Sequence, residues 1–209
     1  MKWFWFTWGD ATRFITKRLP SWLPRLLCEI LIVSGLSYWI QRIGELDRYP
    51  GGDGPHILGT AGRLAQLLAD GEFEWFVYCF SSLLGPHPPF AYLPYIASTL
   101  LFPNLSYNHL IGSALVLWII WDAMWRMNAG LIGIISILAF SPILLQFENA
   151  GIDLVVAAAV LQSCSHLAKS NQLYNRKHTI LWGAWIGVAF MTKYTGPMFL
   201  WAPCLLAGY

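Results

Sequence analysis

Six apolar runs dominate the chain, and the first, 23–43, is long enough to carry a helix across a ~30 Å hydrocarbon core at ~1.5 Å per residue. The others are 108–125, 130–145, 154–168, 179–191 and 197–209. In lipid every backbone N–H and C=O must find its partner inside the protein, so such runs are expected to fold as helices. Composition agrees: 56% of residues are hydrophobic, 11% are charged, mean hydropathy is +0.51, and twelve are Trp, several times the usage of a soluble domain. The expected fold class is an all-α integral membrane protein with about six transmembrane helices. Residues 1–22 mix Trp and Phe with Asp10, Arg13, Lys17 and Arg18, without a clean apolar core or a small-residue cleavage site. They are expected to form a cytoplasmic interfacial segment ahead of a membrane module at 23–209, not a cleavable signal.

A net charge of +2 with dispersed basic residues excludes nucleic acid as a partner. Cys28, Cys79, Cys164 and Cys204 stand singly, without metal-ligand spacing, and read as small buried hydrophobes. Charge informs orientation instead. Lys2, Arg13, Lys17, Arg18 and Arg25 place the N-terminus on the cytoplasmic side, so the loop 44–107 after the first span faces outward.

Whether 89–102 crosses decides the rest of the topology. It is apolar but fourteen residues long, bounded by prolines and interrupted by Pro94, which favours an interfacial or re-entrant segment. If it stays on one side, Arg126 and the basic stretch 169–178 fall inside while 147–153 falls outside, as the positive-inside tendency requires. Residues 56–70 carry apolar side chains at helical spacing opposite Arg63, Gln66 and Asp70, and Gly71 follows as a stop. The outer loop is therefore expected to hold two membrane-surface helices, 56–70 and 89–102, joined by a connection over 72–87.

Ionisable groups beside membrane spans are scarce and costly, which directs attention to the island of Glu45, Asp47, Arg48, Asp53 and His56 in that loop. Asp53, in a Gly-Gly-Asp-Gly-Pro turn, suits both an N-terminal helix cap and a general base taking a proton from an acceptor hydroxyl at the membrane surface. Asp53 and His56 with His87 could hold a divalent metal, although no further ligand stands at diagnostic spacing. Asp153 opens an apolar run on the same outer side. Lys193 interrupts a long apolar stretch at an outer boundary, where snorkelling and binding a lipid phosphate make nearly the same demand on a lysine. His109 and His166 read as structural.

Taken in series, Asp53 before a helix, His87-Pro88-Pro89-Phe90-Ala91-Tyr92, Gly151-Ile152-Asp153 and Met191-Thr192-Lys193-Tyr194-Thr195-Gly196 resemble the membrane module of C-type (GT-C) glycosyltransferases. The nearest branch resembles the protein O-mannosyltransferases and lipid A aminoarabinose transferases, over roughly 24–209. The resemblance implies transfer of a sugar from a polyisoprenyl-phosphate carrier to an acceptor lipid, glycan or protein on the non-cytoplasmic face, with inversion; no cofactor is expected, a divalent metal at Asp53, His56 and His87 being the alternative. It implies Asp53 as base or acceptor-orienting group, and His87, Asp153 and Lys193 as substrate-binding residues; His56 is expected beside them, and Arg48 is a further cation that could meet the charge on a leaving phosphate. Gly54 stands where the family usually places a second acid, leaving His56 or Glu45 as the substitute. A bacterial inner-membrane protein is expected. The alternatives are a non-catalytic structural or assembly subunit of a membrane complex, a fragment of a longer transferase, or a transporter segment. The last lacks paired, Gly/Pro-broken spans in repeated halves.

Overall fold

The computed structural model describes residues 54–82, 88–103, 108–129 and 150–200, with eight further residues between 23 and 38. It divides into two compact units, 1–45 and 46–209. In the first, residues 23, 26, 27, 30, 31, 34, 35 and 38 are helical, and Leu27, Ile30, Leu31 and Tyr38 are exposed. In the second, α1 (Gly54–Ala69), α2 (Phe73–Ser82), a 3₁₀ turn (Pro89–Tyr92), α3 (Leu93–Leu101), α4 (Asn108–Arg126), α5 (Ile152–Lys169), α6 (Arg176–Phe190) and a second 3₁₀ turn (Gly196–Leu200) follow in order. The described residues are all-α, without a strand. The 130–145 run and most of the 197–209 run lie outside them.

The expected first loop helix forms, and it stops as its sequence dictates. Gly71 takes φ 77°, its N–H donates to the Leu68 carbonyl at 3.2 Å, and the Glu72 N–H donates to the Leu67 carbonyl at 2.8 Å, closing a Schellman motif. The apolar stripe Ile57, Ala61, Leu64 and Ala65 is buried, with α3 packed against the helix, so protein rather than lipid covers it. Residues 72–87, expected as a plain connection, instead contain α2. Phe73, Phe76, Val77 and Phe80 recur at helical spacing over two turns, with Glu74 and Ser81 together on another side, a pattern easily passed over because the stretch is short and its other residues include Trp75 and Tyr78.

The proline-bounded segment begins as a 3₁₀ turn and continues as α3, with Pro94 tolerated in the first turn, where its missing N–H has no partner to lose. It runs back along the start of α4 in the opposite sense. Tyr95 and Ser98 meet Gly112, and the Asn108 side-chain amide donates to Thr99 Oγ1 at 3.4 Å. Nine residues span about 14 Å, under half of α4, so α3 does not accompany α4 along its length. Burial pushes the Tyr95 phenol up to about 12, with the Ser113 side chain pulling it partly back, so it remains a protonated packing group.

A Cβ on Gly112 would lie 2.6 Å from Tyr95 Cδ1 and 3.1 Å from Ser98 Oγ, both of them fully buried. Gly112→Ala is therefore expected to cost ~1–3 kcal/mol through overpacking. Unfolding in mixed detergent micelles should occur at a lower denaturing-detergent fraction, and adding Tyr95→Leu should recover part of the loss. An unchanged midpoint for the single variant would show that the ring can yield.

α4, α5 and α6 pack side by side. At one end Arg126 pairs with Asp122 and donates to Gln162 Oε1 at 3.3 Å, while Gln162 Nε2 donates to the Ile119 carbonyl at 2.9 Å. Arg126 Nη1 also lies 2.6 Å from His166 Nε2, and His166 Nδ1 lies 2.9 Å from His178 Nδ1. Arginine has no acceptor, so His166 must accept at Nε2 and donate from Nδ1 to His178. His166 is buried and partnered on both ring nitrogens, as befits a structural histidine. Among the described residues α5 is the one helix long and apolar enough to cross a membrane.

Candidate functional site

At the other end of α5, the charged residues singled out from the sequence meet. Asp153 is the second residue of α5, after Gly151 in an extended conformation (φ −71°, ψ 134°). A carboxylate there is favoured by the free amides and positive end of the helix. Lys193 lies just beyond α6, in a turn folded back over that helix's end. Its N–H donates to the Ala189 carbonyl at 3.1 Å, and its own carbonyl accepts from the Gly196 N–H at 2.8 Å. Gly196 is required there, because a Cβ would stand 2.7 Å from the Ala189 carbonyl oxygen. The buried Thr192 hydroxyl donates to the Val188 carbonyl at 2.7 Å and fixes the turn's entry.

This antiparallel arrangement brings Lys193 Nζ to 2.6 Å from Asp153 Oδ1. The side chains are 37% and 57% exposed. A pair so open to solvent is worth only ~0.2–1 kcal/mol, so either partner can be drawn to another ligand at small cost. The pair stands at a cavity of about 440 Å³ between α5 and the second 3₁₀ turn. Asp153, Val156, Ala157, Val160 and Leu161 form its α5 wall, and Lys193, Thr195 and Phe199 face them. The α5 positions follow the helical repeat, so one stripe leads from the charged mouth along about 12 Å of apolar wall.

The first 3₁₀ turn is tied to the same place. The Phe90 N–H donates to the Met191 carbonyl at 2.9 Å, joining the Pro88-Pro89-Phe90 segment to the Met191-Thr192-Lys193 turn. Tyr92, fully buried in that turn, places its hydroxyl 3.4 Å from His56 Nε2 of α1, with the rings edge to face at 6.4 Å. His56 is thus linked to the turn that carries Phe90, and does not itself line the cavity. Asp53, His87 and Arg48 lie outside the described residues, although α1 begins at Gly54, the residue after Asp53. Among the described residues no group of three His, Cys, Asp or Glu side chains is placed to hold a metal ion.

Sequence reasoning named the charged members, carried Tyr92 and Thr195 within its motifs without giving them a role, and did not name Phe199. Tyr92, Thr195 and Phe199 lie in short turns with no helical period to show which way a side chain faces, whereas a lysine in an apolar stretch announces itself. The model of glycosyltransferase family 87 matches residues 76–208, more than half of the chain, and the matched segment contains the Phe90–Met191 link, Asp153 and Lys193. Neither a curated protein nor a solved structure gives a significant match.

Proposed function

We propose that this chain, which belongs to glycosyltransferase family 87 and is a membrane protein, moves a sugar from a polyisoprenyl-phosphate carrier to an acceptor on the non-cytoplasmic face. The observation that carries this reading is the Asp153–Lys193 pair at the mouth of an apolar cavity. A lipid-linked phosphosugar has the matching parts: a phosphate for a lysine that is only weakly held, and an isoprenoid chain for an apolar wall. In a bacterial cell the setting would be the inner membrane, with the N-terminus cytoplasmic, a GT-C architecture, and about six crossings that leave α1 and α3 in the outer loop.

The step requires one proton transfer and one displacement. The acceptor hydroxyl gives its proton to the Asp53 carboxylate as its oxygen attacks the anomeric carbon. The bond from that carbon to the phosphate oxygen breaks, and its electron pair leaves on the phosphate, so the configuration inverts. Lys193, with Arg48, meets the charge developing on the leaving group, which then needs no proton of its own. Asp153 holds Lys193 in place until the phosphate arrives, and His56 and His87 orient the acceptor side. Confinement of both substrates to one interface turns a three-dimensional encounter into an oriented one.

The donor class can be tested directly. The full-length protein in vesicles, offered a polyisoprenyl-phosphate-linked hexose and the matching nucleotide sugar in parallel, is expected to transfer from the lipid-linked donor alone. Transfer from the nucleotide sugar would remove this reading.

A further inference from the structure

Three alanines stand in a row on α5, and two of them have an ordinary packing role. Ala158 and Ala159 are 2% and 1% exposed, and Ala159 packs against Ala189 and Leu200, so their small size lets neighbouring elements close on the helix. Ala157 is not buried. It belongs to the cavity wall, beside Val156 and one turn before Val160 and Leu161, and of these four it alone has a side chain that ends at Cβ. The wall is otherwise built from branched side chains, so Ala157 leaves a gap in it.

Depth decides what that gap would meet. Ala157 lies one turn beyond Asp153, ~6 Å along the axis at ~1.5 Å per residue. The Asp153–Lys193 pair sets the charged end at the mouth, so a phosphate held by Lys193 sends the first units of its lipid past Ala157, with Phe199 on the facing side. An extended chain advances ~1.2 Å per bond, so about 12 Å of apolar wall takes roughly ten main-chain carbons. Those belong to the two or three isoprene units nearest the phosphate, whatever the full length of the carrier. At this depth an isoprenoid differs from a straight acyl chain by the methyl branch on each unit.

We propose, resting on the donor class inferred above, that Ala157 is a specificity-determining residue for the lipid carrier, its gap admitting the methyl branches of the isoprene units next to the phosphate. The two sides of the cavity are unequal in this. Phe199 is 64% exposed in a short 3₁₀ turn, whereas α5 is packed against both α4 and α6, so the α5 wall sets the width that a ligand must match. One methyl or methylene group in an apolar pocket is worth roughly 10–200-fold in discrimination, enough for a single side chain to tell a branched chain from a straight one.

The test is equilibrium binding of radiolabelled hexahydrofarnesyl phosphate and dodecyl phosphate to the full protein in nanodiscs, with empty nanodiscs subtracted. The two ligands share a headgroup and a saturated main chain of equal length and differ only in the methyl branches. The parent is expected to bind the branched ligand. Ala157→Leu fills the gap with a branch of its own, and should weaken hexahydrofarnesyl phosphate by roughly 10–200-fold and dodecyl phosphate by no more than a few-fold. Ala157→Ser, which keeps the gap, should weaken neither, and nor should Ala168→Leu, the same change at an exposed α5 position outside the cavity. Equal weakening of both ligands by Ala157→Leu, weakening of neither, or a parent that does not bind the branched ligand would each overturn the proposal. The readout is a ratio of two affinities, which partial unfolding of a variant leaves unchanged, and Ala157→Val supplies the same comparison should Ala157→Leu fail to fold. Transfer from a nucleotide sugar alone would remove the donor reading, whereas a missing branch effect beside intact transfer from the lipid-linked donor would remove only the role of Ala157.

Discussion

Asp53→Asn in the full protein is expected to lower sugar transfer by ~10²–10⁴-fold, the contribution a positioned general base makes to a proton transfer. The choice of asparagine separates the two roles open to this residue. Asn and Asp are nearly equal at a helix N-cap, so α1, which starts at Gly54, should be as stable in the variant as in the parent. Asp53→Ala should lose the same activity and also ~1 kcal/mol of helix stability. Turnover with a polyisoprenyl-phosphate-linked hexose, measured beside thermal unfolding in detergent, distinguishes them. Activity within a factor of three of the parent in Asp53→Asn would leave Asp53 as a cap alone.

What could be foreseen from the residues, and what could not, follows from the kind of signal each feature carries. α1 was legible because its apolar residues recur at helical spacing and Gly71 supplies the left-handed stop. α3 was legible because prolines at 88, 89, 94 and 103 bracket and interrupt a segment too short to cross. What covers these helices was not. An amphipathic stripe specifies an apolar neighbour, and a protein helix satisfies it as well as a membrane does, so the Ile57–Leu64 stripe gave no hint that α3 packs there. α2 went unread for a different reason: Phe73, Phe76, Val77 and Phe80 do recur at helical spacing, but over ten residues, with Trp75 and Tyr78 outside the stripe, the pattern is too short to stand out. At the site, the cost of a charge among apolar residues marked Asp153 and Lys193. Their 2.6 Å approach depends on the antiparallel course of α5 and α6, a long-range fact that local pattern does not contain.

Lys193→Met should reduce kcat/KM for the lipid-linked donor by ~10²–10³-fold, the loss typical when a preorganised charge partner of the leaving oxyanion is removed. Lys193→Arg should retain much of the rate, since guanidinium also meets phosphate. The informative comparison is with Asp153→Asn. If the pair were merely a strap between α5 and the end of α6, removing either charge would have the same effect, and a small one, because an interaction this exposed is worth ~0.2–1 kcal/mol. If Lys193 serves the phosphate, the two variants must diverge. Asp153→Asn releases the lysine from its competing carboxylate and should change the donor KM by no more than a few-fold, while Lys193→Met removes the charge the leaving group needs. Equal losses in the two variants would therefore count against the phosphate role even if both were inactive. A large loss confined to Lys193→Met, with unfolding unchanged, would place that lysine at the reacting end of the donor.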